Sequence, residues 1–223
     1  VSERFIDEVS SKKVWYSRTT NPLYNVVAID CGIKKSLVKI LNSIGCNVVV
    51  VPNTITKEQL LKHKPNGLLI SDGPGNPEKS LEVVDLINEM KGIVPIFGIG
   101  TGMSLIGLSY GAKVVKQKVG HNGSNYPVRD LKTGKIEITS QNDLYSLDDV
   151  SIKETGLKPT HVNVIDNKVK GLFDKANNVL AIEFDLPIED CNLNAVLIKF
   201  LDLMKKAGCG LISMGIESGS QEL

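Results

Sequence analysis

Two glycine-rich loops hold the groups best suited to chemistry: Ser71 to Pro77 (SDGPGNP) and Gly98 to Gly102 (GIGTG). Each follows a short apolar run, and the second also opens a helical pattern. In open parallel sheets, ligands bind beyond the carboxyl ends of strands, where glycines let backbone N–H groups approach closely. Read alone, Asp72, Gly73, Pro74 and Gly75 make a tight turn. GIGTG has the strand, turn, helix order of a nucleophile elbow, which lifts a Ser or Cys above the sheet and aims a helix N-terminus at it. Its central residue is Gly100, which has no side chain. A second reading makes Gly98, Gly100 and Gly102 an anion-binding turn for a nucleotide. Against it, the third glycine of G-x-G-x-x-G falls at Met103, and no acidic residue ends the next strand where a ribose contact needs one.

The other reactive residue types are scattered. His63, His121 and His161 form no H-x-x-x-H and no Cys/His cluster, so no metal site is expected. His161 begins a strand at HVNV, and His121 lies in the glycine-rich GHNGSN; both read as structural or surface residues. Cys31, Cys46, Cys191 and Cys209 contain no C-x-x-C pair, and the first three sit in or beside apolar runs, as small buried hydrophobes do. That usage suits a reducing, cytoplasm-like compartment.

These loops need a scaffold. At 223 residues the chain is long enough for one α/β domain with a full core. VVAID (26–30), NVVVVP (47–52), GLLIS (67–71) and VPIFGI (94–99) read as buried strands. Between them, apolar spacing predicts helices over Leu37 to Ile44, in TKEQLLKH and in SLEVVDLINEM. That alternation predicts an α/β, doubly wound, mostly parallel sheet with right-handed crossovers. After Gly111 the texture turns β-rich (AKVVKQKV, YPVRDL, GKIEITS, HVNVIDNKVKGLF, VLAIEF), which predicts an antiparallel extension. A final helix is expected over 194–207, with Leu197, Phe200, Leu201 and Met204 on one face, followed by a strand-like GLISMGI. The balance of 26 Lys+Arg against 25 Asp+Glu supplies no basic field for a nucleic acid. Apolar runs such as Val48 to Val51 are too short for a membrane span, and the polar opening VSERFIDEVS is no signal peptide.

Taken in order, VVAIDCGIK (26–34), SDGPGNP, VPIFGIGTG, GAKVVKQKVGHNGSNYPV (111–128), ITSQN (138–142) and VLAIEF resemble the class I glutamine amidotransferase domain of carbamoyl-phosphate synthase small subunits. The resemblance covers residues 26–184 and implies a flavodoxin-like fold. It implies a mechanism in which a Cys thiolate at the elbow attacks the glutamine amide, a His serves as base and acid, and a Glu orients that His. Ammonia then passes to a large synthetase subunit, which makes carbamoyl phosphate for pyrimidine or arginine biosynthesis. By the same resemblance, Gly73 and Thr101 would supply oxyanion N–H groups, and Gly75, Asn142 and Tyr145 would contact glutamine. No cofactor is implied for this domain.

The departures fall on the chemistry itself. Gly100 stands where the nucleophilic Cys belongs, and Asp185 and Pro187 stand where the family has His and Glu. Ser104 replaces a Gln on the elbow helix, and Asp143-Leu144 replaces the His-Gly that follows Asn142. Removing the nucleophile alone costs on the order of 10⁶ in rate, so the expectation is a hydrolytically inactive, structural or regulatory partner of the synthetase. The ammonia-using animal branch, which carries Ser at this place, resembles GIGTG, and would put the protein in mitochondria instead. An engineered or trapped variant of an active glutaminase is the enzyme alternative.

Residues 1–25 are expected to be a connector following an absent N-terminal domain, with EVSSKKVW resembling that connector. Residues 185–223 are expected to be a C-terminal helix and strand of doubtful origin: MKKAGCGLISMGIESGSQEL (204–223) is similar to one helix–strand–loop unit of radical S-adenosylmethionine enzymes, and the plain alternative makes Asn194 to Ile216 a final helix and edge strand. The cluster-binding C-x-x-x-C-x-x-C is absent, so no iron–sulfur chemistry follows.

Overall fold

The computed structural model describes residues 4–185 and 193–207. In chain order the strands are β1 (Trp15–Ser17), β2 (Tyr24–Asp30), β3 (Cys46–Pro52), β4 (Gly67–Ile70), β5 (Ile96–Ile99), β6 (Val114–Asp130), β7 (Ile136–Leu147), β8 (Lys158–Asn163), β9 (Val169–Asp174) and β10 (Val179–Ile182). The helices are α1 (Phe5–Val9), α2 (Lys35–Ser43), α3 (Lys57–Leu61), α4 (Leu81–Met90), α5 (Thr101–Ser109), α6 (Asp149–Ile152) and α7 (Leu193–Lys206).

All ten strands join one sheet in the order β1-β3-β2-β4-β5-β10-β9-β8-β6-β7. The four strands β3, β2, β4 and β5 run parallel, as the apolar runs predict. Strand β10, formed by the VLAIEF run expected in the antiparallel extension, instead pairs parallel with β5, because it is buried on both faces like the central strands. Strands β4, β5 and β10 are buried at every position, which is why they read as unbroken apolar stretches. Alternate residues feed two cores. Leu68, Ile70 and Ile96 pack with Ile87 of α4 and Met103 of α5, while Leu69, Phe97 and Ile182 pack with Leu41 of α2 and Phe200 of α7. From β10 onward the pairing becomes antiparallel through β9, β8, β6 and β7. The α/β fold with a parallel centre and an antiparallel extension is therefore present.

Three expectations are corrected in detail. Residues 4–23 are more than a bare connector: β1 pairs antiparallel with β3, and Ile6 of α1 is 2% exposed within the main core. Both elements are too short, at three and five residues, to show a period. AKVVKQKV and YPVRDL are one strand, β6, carried through GHNGSN by two shifts of register against β7. Bulges let the glycine-rich stretch stay in the ladder, so His121 lies on a strand. His161 sits inside β8, which begins three residues earlier, at Lys158.

The boundary at 184/185 is not a boundary of packing. Leu197, Phe200 and Met204 of α7 are fully buried, and the Phe200 ring lies 5.5 Å from Phe97 of β5. A methyl group on Gly67 would come within 2.6 Å of Phe200 and 2.5 Å of Met204, so helix and sheet fit closely. Of the radical-enzyme-like run, residues 204–207 belong to the end of α7 and the turn that follows it, while the rest with Cys209, as well as Pro187 and Cys191, lies outside the described residues.

Candidate functional site

The order β3-β2-β4 reverses direction at β2, and open α/β sheets bind ligands outside the strand ends at such a reversal. A cavity of about 930 Å³ opens there. Its walls are the loops after β2, β4, β5 and β10, the middle of β7, and Phe5 from α1. The five residues assigned to glutamine by resemblance, Gly73, Gly75, Thr101, Asn142 and Tyr145, all line it, together with Gly100, Ser104 and Asp185. Loops far apart in sequence are thus brought together.

Gly100 has φ 57° and ψ −123°, a backbone shape that side chains rarely adopt. It is held by its N–H to Ile182 O at 2.9 Å and by its carbonyl, which accepts from Met103 N at 2.9 Å. The strained turn of an elbow is present without a nucleophile. A Cβ at Gly100 would fall 2.1 Å from Asp72 Oδ1, so Asp72 occupies the missing side chain's place. Thr101 N–H donates to the same oxygen at 2.9 Å. Burial pushes the Asp72 carboxyl above its ordinary range, against the N–H groups of Thr101 and Gly73, which favour its charged form.

Gly73 is required for a different reason. A Cβ there would lie 2.0 Å from the Cys31 carbonyl oxygen, so only glycine lets the two loops touch. Thr101 Oγ1 ties the loops further by donating to Gly73 O. Cys31 is fully buried, and burial beside Asp30 and Asp72 raises its thiol far above the usual range, so it does not replace the nucleophile.

At the expected base position, Asp185 pairs with Lys34, while its backbone bridges to Ser140 with both N–O distances 2.9 Å. It therefore closes the gap between β10 and β7. Beside it lies a charge cluster that sequence reading missed. Lys170 of β9, with no solvent exposure, contacts Asp143 and reaches Glu183 Oε2 at 2.9 Å. Asp143 Oδ1 in turn lies 3.0 Å from His121 Nδ1, whose Nε2 lies 3.0 Å from Asp166. Burial pushes Glu183 up to about 8, with Lys170 opposing. The two carboxylates hold Lys170 above its usual value despite its burial. His121 is thus wedged between carboxylates, the structural one of the two roles its sequence context suggested. The available signal was Glu183 within VLAIEF and Lys170 within KVKGLF, charges inside runs otherwise fit for a core.

Among the described residues no cluster of His, Cys, Asp and Glu is arranged to hold a metal, and no helix is long and apolar enough to cross a membrane.

The geometry agrees with what comparison finds. The chain is 41% identical over 179 residues to the carbamoyl phosphate synthase small chain of Staphylococcus saprophyticus, covering 80% of this chain and 48% of the relative. It is 43% identical over 180 residues to that of Staphylococcus epidermidis, with 80% and 49% covered. The chain thus spans about half the length of the curated relatives it matches. A GMP-synthase-type protein of Thermoplasma acidophilum shares the fold, with TM-score 0.70 and 19% identity over 82% of this chain and 95% of the other. The family model for glutamine amidotransferase class-I matches residues 27–184, which hold both loops and the cavity, and the chain belongs to that family.

Proposed function

We propose that this chain is a glutamine amidotransferase domain of the carbamoyl-phosphate synthase small-chain kind that no longer hydrolyses glutamine and acts as a structural or regulatory partner of a large synthetase subunit. The observation that carries this reading is the elbow: Gly100 keeps the strained turn, but Asp72 fills the volume that a nucleophile needs. Asp185, where the base is expected, is engaged with Lys34. Free ammonia would then be the nitrogen source for the synthetase. The cavity, lined by Gly73, Gly75, Asn142 and Tyr145, supports retained binding of L-glutamine.

The anion-binding reading of GIGTG is weakened by the same contact, because the first N–H of α5 is already taken by a carboxylate. The test is threefold: glutamate release from glutamine, calorimetry with glutamine and with nucleotides, and co-purification with the synthetase. The expected result is no hydrolysis above background, no nucleotide binding, and a stable complex. Glutamate production by the unaltered chain would overturn the reading.

A further inference from the structure

An elbow without a nucleophile would ordinarily leave an open anion-binding pocket, since its turn and the following helix point N–H groups at one spot. Here that spot is filled from within. We propose that Asp72 is an internal anion that occupies the elbow's oxyanion site and shuts acyl and carboxylate groups out of it. This deepens the proposed function, on which it rests for the elbow, and takes from the family resemblance only the role of Thr101 as an oxyanion donor.

Two contacts converge on one atom. Asp72 Oδ1 accepts from Thr101 N at 2.9 Å, and the Cβ direction of Gly100 ends 2.1 Å from the same oxygen. The loop is braced so that this carboxylate stays in place. Ser71 Oγ accepts from Cys31 N at 3.0 Å and donates to Asp72 O at 2.9 Å, while Gly73 O accepts from Thr101 Oγ1. The charges that act on Asp72 are Lys34 and Asp185, which are paired with each other, while Asp143 and Glu183, also on the cavity wall, are engaged with Lys170.

A tetrahedral oxyanion needs donors within about 2.7–3.1 Å, and loss of one donor costs about 10²–10³ in turnover. With Thr101 N–H engaged, an oxyanion arriving at this turn meets a negative charge in place of a donor. Restoring Cys, His and Glu at positions 100, 185 and 187 is therefore insufficient while Asp72 remains. A thiol placed at the elbow would also lie against a carboxylate, which keeps it protonated and unreactive.

The experiment compares Gly100→Cys with Gly100→Cys/Asp72→Asn by the rate at which iodoacetamide alkylates the introduced thiol at pH 7. The thiolate displaces iodide and forms a thioether, and peptide mass spectrometry separates this site from the native cysteines. The double variant is expected to react at least about tenfold faster, the factor that one unit of thiol pKa supplies. Equal rates, or a faster single variant, would overturn the proposal. Iodoacetamide makes no use of a glutamine site, so the outcome is independent of glutamine binding or hydrolysis, which the earlier assay reads. Should Gly100→Cys fail to fold, amide exchange at Thr101 in the native chain serves instead. Asp72→Ala is expected to speed that exchange at least about tenfold, as loss of a charge-assisted hydrogen bond does, and unchanged protection would refute the assignment.

Discussion

Lys170 Nζ and Glu183 Oε2 meet at 2.9 Å just behind the cavity wall, with both residues buried. The register of β9 on β10 sets them opposite each other, with Gly171 beside Ile182 and the Glu183 N–H donating to Lys170 O at 3.0 Å. A cation and a carboxyl buried together cost solvation on both sides, so the pair belongs to the site's electrostatics more than to its stability.

Glu183 sets a pH dependence whose sign follows from its raised value. Between its unfolded value of 4.5 and its folded value of about 8, the unfolded chain has lost a proton that the folded chain keeps. Ionisation in that window favours unfolding, by about 1.4 kcal/mol per pH unit for a single group. Glu183→Gln retains an acceptor for Lys170 and cannot ionise. Urea unfolding at pH 5, 6, 7 and 8 should show the variant gaining on the native chain as pH rises; parallel curves would contradict this.

Lys170→Met should be far more damaging. It strands Asp143 and Glu183 beside each other without their cation, a loss of about 3–5 kcal/mol for a broken buried pair. Adding Glu183→Gln to that variant should recover part of the loss. A double-mutant cycle from denaturant melts measures the coupling, and strict additivity would show the pair to be independent.

Phe200→Ala tests whether α7 is integral to the domain. The ring is fully buried against Phe97, so truncation should cost about 3–5 kcal/mol. A helix of foreign origin resting loosely on the sheet would tolerate the change, leaving the melting temperature unmoved.

Ile6→Ala asks the same of the N-terminal segment. Ile6 is 2% exposed, and its truncation should cost about 2–5 kcal/mol if residues 4–17 fold with the sheet. The matching control is Val9, which is 48% exposed and should tolerate alanine with little change. Equal, small effects at both positions would return this stretch to the status of a connector.

Much of the fold was legible because buried parallel strands demand unbroken apolar runs, and VVAID, GLLIS and VPIFGI carry them. Helix α7 was legible from Leu197, Phe200 and Met204, spaced three and four apart. Elements α1 and β1 were not, because a few residues hold no period and their burial depends on a partner strand. The β6 strand was hidden by GHNGSN, since glycines signal turns and a bulge uses the same residues.

At the site, the amino-acid order alone revealed an absence, the glycine at position 100, and the loops that should surround it. It could not reveal what fills the gap. Asp72 and Thr101 are 29 positions apart, and they touch because β4 and β5 are parallel neighbours whose carboxyl ends open on one cavity. Lys170 and Glu183 meet through the register of a strand pair, which follows from packing. Composition and order decide which groups exist, while only the three-dimensional arrangement decides which of them share a dielectric environment, and here it turns a tight-turn aspartate into the carboxylate seated against Gly100 and the first N–H of α5.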